Sequence, residues 1–69
     1  MECLRIDYVN EIVNDNELII YANILTKNSS FQINYSESLD DGYETAKQIL
    51  IDKFNNNYQI IEEEIIEEE

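Results

Sequence analysis

Sixteen Asp and Glu residues stand against four Lys and Arg, with no histidine and a single cysteine, and this inventory bounds the chemistry open to the chain. General acid–base catalysis at neutral pH usually recruits histidine, which is absent. A nucleophile needs a base beside it. Cys3 has only Arg5 near it in sequence, on the same face of an alternating strand, and a guanidinium is no base. Cys3 therefore reads as a small apolar strand residue. Ser29 and Ser30 fall in a turn cluster. One glycine cannot build a phosphate-cradling loop. Zinc sites want clustered Cys and His. Calcium loops want a glycine turn between spaced acidic ligands, which neither Asn14-Asp15-Asn16-Glu17 nor Asp40-Asp41-Gly42 supplies. The expectation is a protein that is not an enzyme and uses no metal or cofactor.

What remains is the carboxylates themselves, with a formal net charge of −12 on 69 residues. Charge of this size speaks to partners and solubility rather than to fold. Direct nucleic-acid binding is disfavoured, because that affinity rests on Lys and Arg neutralising phosphates. Two groups of acidic residues could form a binding surface. Asp7 and Glu11 lie on the outward face of the first strand, joined by Asp40, Asp41 and Glu44 at a helix start. Glu62, Glu63, Glu64, Glu67, Glu68 and Glu69 form a C-terminal run. Duplex DNA carries about one negative charge per 1.7 Å of axis, so rigidly held carboxylates can occupy a basic groove shaped for phosphates.

The elements that must hold them follow from periodicity. Leu4 to Val13 alternates, with Leu4, Ile6, Tyr8 and Ile12 on one face and Arg5, Asp7 and Glu11 on the other. Asn14-Asp15-Asn16 is a turn whose residues tolerate left-handed backbone. Leu18 to Lys27 is apolar on both faces in its first half, the mark of a central strand. After the Asn28-Ser29-Ser30 turn, Phe31, Ile33 and Tyr35 alternate with Gln32 and Asn34. Short turns between successive strands imply an antiparallel meander.

The period then changes. Leu39, Tyr43, Ala46, Leu50 and Phe54 share one helical face, widened by Ile49. Two N-caps fit the start: Ser38, or Asp41 with Glu44 three residues on. Gly42 favours the later one, since glycine inside a helix costs about 1 kcal/mol. Asn55-Asn56-Asn57 is expected to end the helix through a left-handed Asn. Tyr58 to Ile61 reads as a fourth strand. The order is β-β-β-α-β, an α+β fold with one helix on one face of a sheet. Residues 1–69 are read as one small acidic domain, with 62–69 a Glu-rich extension holding two isoleucines. Tyr8, Tyr21, Tyr35 and Tyr43 sit at core positions of these patterns.

The longest purely apolar run, Leu18 to Ala22, is far short of the ~20 residues of a membrane span. Met1-Glu2-Cys3-Leu4 has no basic leader region. A cytoplasmic location without membrane partners is expected. A chain of roughly 60 residues buries only about 60% of its unfolded surface. Such a thin margin with 43% hydrophobic residues makes a homodimer a further expectation to test.

The short length, the acidic balance, the Asp40-Asp41-Gly42-Tyr43-Glu44 helix start and the Glu62–Glu69 run resemble small phage-encoded DNA-mimic inhibitors. These are the classes of the anti-CRISPR proteins, anti-restriction proteins and uracil-DNA glycosylase inhibitors. The likeness spans the whole chain and is one of class, without a motif that transfers residue by residue. It implies a host nuclease or defence complex as target, in the bacterial cytoplasm. The alternative is a small adaptor whose acidic surface mainly serves solubility.

Overall fold

The computed structural model describes residues 1–61; the Glu62–Glu69 run lies outside them. The elements are β1 (Glu2–Cys3), β2 (Arg5–Asn14), β3 (Glu17–Leu25), β4 (Ser30–Ser38), α1 (Tyr43–Asn57) and β5 (Gln59–Ile60). Strands β2, β3 and β4 form the expected antiparallel meander with β3 central. The last strand also forms, but not on that sheet. It pairs parallel with β1, Glu2 opposite Gln59 and Cys3 opposite Ile60. The α+β fold is thus the one expected, with the chain's first and last strands joined in a small second sheet. No helix of the described residues is long and apolar enough to cross a membrane.

Each turn has a local cause. Asn14 pairs with Glu17, leaving Asp15 and Asn16 as a two-residue loop. Asp15 takes φ +56°, the left-handed region that Asp tolerates. At the opposite end the Thr26 N–H donates to the Ser29 carbonyl at 2.8 Å, and the Ser29 N–H donates back to Thr26 Oγ1 at 3.0 Å.

Strand β3 turns Leu18, Ile20, Ala22 and Ile24 under the helix, where Ala46, Leu50 and Phe54 meet them, with Cys3 closing one end. Ile6, Phe31, Ile33, Tyr35, Leu39 and Tyr58 pack around this core. Phe54 is fully buried. It meets two tyrosine rings in T-shaped contacts, Tyr35 at 4.7 Å and Tyr8 at 5.5 Å between centroids, the geometry that aromatic quadrupoles favour.

Four sequence expectations need correction. First, the alternation of β2 breaks. Tyr8 pairs with Ala22 and Asn10 with Tyr21, so Val9 has no partner and forms a β-bulge. Beyond it the faces exchange: Glu11 lies opposite Ile20 on the helix side, and Ile12 lies opposite Ile19 on the open side. Second, Asp41 is not the N-cap. Gly42 is, at φ +101° with no side-chain cap, and that backbone conformation is what glycine is needed for. Third, Asn55–Asn57 form the last helical turn rather than ending it. The chain leaves the helix at Tyr58 in extended conformation, with the Tyr58 N–H bonded to the Phe54 carbonyl. Fourth, Tyr43 and Tyr8 are 40% and 46% exposed and Tyr21 faces the open side of the sheet. Of the four tyrosines assigned to the core, only Tyr35 is packed well into it. Cys3 is buried as expected, but a bend at Leu4 separates it from exposed Arg5, so the two do not share surroundings.

Candidate acidic interface

The meander register brings acidic residues from distant parts of the chain to one end of the molecule. The β2–β3 turn contributes Asp15 and Glu17. Leu18 pairs with Glu37 and Glu17 with Ser38, which places the end of β4 beside that turn. The segment between β4 and α1 then docks on it: the Leu39 N–H donates to the Asn16 carbonyl at 2.8 Å, and the Asn16 side-chain amide donates to Asp40. Ser38 Oγ accepts the Asp40 N–H at 3.0 Å, tightening the bend. Asp41 follows, and Glu44 opens the helix. Carboxylates at a helix N-terminus are favoured by the orphan N–H groups and the helix dipole.

Of the residues picked from sequence, Asp40, Asp41 and Glu44 therefore sit together, exposed. Asp15, Glu17 and Glu37 join them and were missed. Only the pairing of β2 with β3 and of β3 with β4 reveals them, since their spacing along the chain carries no pattern. Asp7 is elsewhere, on the open face of β2, and bonds Arg5 Nε at 3.0 Å.

Glu11 is drawn inward. The Val9 bulge turns it toward α1, where the Tyr43 hydroxyl donates to its carboxylate at 2.7 Å and Lys47 Nζ lies 3.7 Å away. Lys47 also stands 5.7 Å from the centre of the Tyr43 ring, within cation–π range. The phenol of Tyr43 is raised above its ordinary value, first because its O–H bond to Glu11 is lost on ionisation. The Lys47 ammonium is raised, first by the charge of Glu11. Glu11 is thus a clasp between β2 and α1 rather than a free contact residue. Both shifts are upward, so whatever this clasp adds to stability is present below the ordinary Tyr and Lys values and is lost as pH rises through the raised ones, above about pH 10. Glu11→Gln should lower the Tyr43 titration. Phenolate absorbance shows this once the Tyr43→Phe titration is subtracted; an unmoved curve would break the assignment.

Among the described residues no group of three or more potential ligands could hold a metal ion. Comparison with protein-family models, with curated proteins and with solved structures gave no significant match to the chain.

Proposed function

We propose that this chain is an acidic inhibitor that sets its carboxylate-rich end into the basic nucleic-acid groove of a DNA-binding enzyme and blocks DNA entry. The class resemblance suggests a bacterial defence nuclease as target. The supporting observation is the convergence of Asp15, Glu17, Glu37, Asp40, Asp41 and Glu44 at one end of a folded scaffold, with Lys47 the nearest lysine along the helix. One-signed charge held on a rigid frame steers association with an oppositely charged groove and competes with phosphate there. The run 62–69 carries six of the sixteen acidic residues and would add to the same attraction.

The test is capture of partners from a bacterial lysate with and without competing DNA, using a triple variant, Asp15→Asn, Asp41→Asn and Glu44→Gln. All three residues are exposed, and Asp40 and Glu11 are spared because each holds a structural hydrogen bond. Exposed ion pairs contribute about 0.2–1 kcal/mol each, so single changes should be nearly silent. Together they should weaken binding by roughly tenfold, about 1.4 kcal/mol, and flatten its salt dependence. Circular dichroism should stay native. If the triple variant binds as before and the captured partner still accepts DNA, charge mimicry is wrong. One observation favours the adaptor reading instead, the apolar outer edge of β2, and binding through it would be insensitive to salt.

A further inference from the structure

We infer that the outer edge of β2 pairs with β2 of a second copy, joining two meanders into one six-stranded antiparallel sheet. Strand order β2-β3-β4 leaves β2 with one edge unpaired over ten residues. The two edges of the sheet differ. On β4 the apolar residues Phe31, Ile33 and Tyr35 pack against the core, and the open face carries Ser30, Gln32, Asn34 and Ser36. On β2, by contrast, Tyr8, Val9, Ile12 and Val13 are 46%, 47%, 38% and 59% exposed. Monomeric proteins guard such edges with lysine, proline or brevity. Strand β2 has no lysine and no proline; it is guarded by the Val9 bulge and by the charges of Arg5, Asp7 and Glu11, which are paired within the chain.

The charge pattern selects the occupant. The chain is strongly acidic, so two copies should repel wherever bare carboxylates meet. Strand β2 holds only two acidic residues, Asp7 and Glu11. Each is already paired within its own chain, Asp7 with Arg5 at 2.9 Å and Glu11 with Lys47 at 3.7 Å. These are the two ion pairs found among the described residues. The edge that is most apolar is therefore also the edge whose charge is internally cancelled. That is what a like-charged copy requires, whereas a basic partner would gain nothing from carboxylates already occupied. A two-fold axis normal to the sheet runs the paired β2 strands antiparallel. The two helices then share one face and the two acidic ends point in opposite directions, so this pairing neither needs nor blocks the inhibitory reading.

Sedimentation equilibrium at high micromolar concentration tests the pairing. The wild type should be dimeric, and more tightly so as salt screens the net repulsion, the reverse of the salt response expected for a basic partner. Val9→Lys with Val13→Lys should raise the dimer dissociation constant by about tenfold or more. Gln32→Lys, on the other edge, should leave the dimer intact. Hydrogen exchange on the wild type gives a second reading that does not depend on the variants folding: β2 amides should gain protection with protein concentration. A wild type that stays monomeric at high salt overturns the inference. So does a dimer that survives the β2 double variant, or one whose concentration-dependent protection falls outside β2.

Discussion

Phe54→Ala should remove most of this chain's stability. Phe54 is fully buried and stands between the rings of Tyr8 and Tyr35. Truncating a buried Phe costs about 3–5 kcal/mol from lost transfer free energy and the cavity left behind. At about 0.05–0.15 kcal/mol per residue, a domain of this size has only roughly 3–10 kcal/mol in total. A urea melt should show the midpoint collapsing toward zero denaturant. Tyr43→Asp is the contrasting case. Tyr43 lies on the same helical repeat but is 40% exposed and bonded only to Glu11 and its neighbours, so that variant should keep a native circular-dichroism spectrum. Were the two variants equally harmful, the helix would be docked on a different face.

Deleting a residue from inside a strand is normally ruinous, because a one-residue slip sends every following side chain to the opposite face. Deleting Val9 should be the exception. Val9 has no partner across the ladder: Tyr8 already pairs with Ala22 and Asn10 with Tyr21. Without it, Tyr8, Asn10, Glu11 and Ile12 follow as an unbroken alternation, with every other pair of β2 retained. The deletion variant should fold, melt close to the wild type and keep the raised Tyr43 titration. Deletion of Asn23 from β3 offers the comparison. It would carry Leu18, Ile20 and Ala22, or else Ile24, out from under the helix, and it should leave no cooperative transition. If the Val9 deletion also unfolds the chain, the bulge is a structural requirement rather than an insertion.

That bulge also marks where the sequence stopped being legible. Strand β3 could be placed at the centre because it is apolar on both faces, and α1 because its apolar residues recur at helical spacing. Both signals repeat many times, so no single residue decides them. The face of Glu11 depends on one inserted residue. Ile6, Tyr8 and Ile12 keep a period of two across the insertion, so the apolar pattern hides it. The helix start differs from the pattern for a similar reason. Asp41 with Glu44 has the spacing of a cap, but the backbone turns at Gly42, one residue later. The acidic end was half visible: Asp40, Asp41 and Glu44 are neighbours in sequence, while Asp15, Glu17 and Glu37 reach them only through hairpin register. Cross-strand register is a non-local property, and local pattern does not encode it.

The parallel pairing of β1 with β5 bears on the order in which the molecule assembles. Hairpins β2–β3 and β3–β4 close loops of a few residues, the kind of contact that forms early and fast. Glu2 and Cys3 meet Gln59 and Ile60 only by closing nearly the whole described chain, at a loop entropy that grows slowly with length but must be met before any contact offsets it. Phe54, the centre of the core, also lies late in the chain. On the ribosome the meander would therefore emerge first, with the helix-facing side of β3 uncovered until α1 follows. During that interval the net charge of −12 bears on the encounter of two unfinished copies. Like charge opposes that encounter while the helix-facing side of β3 is still open.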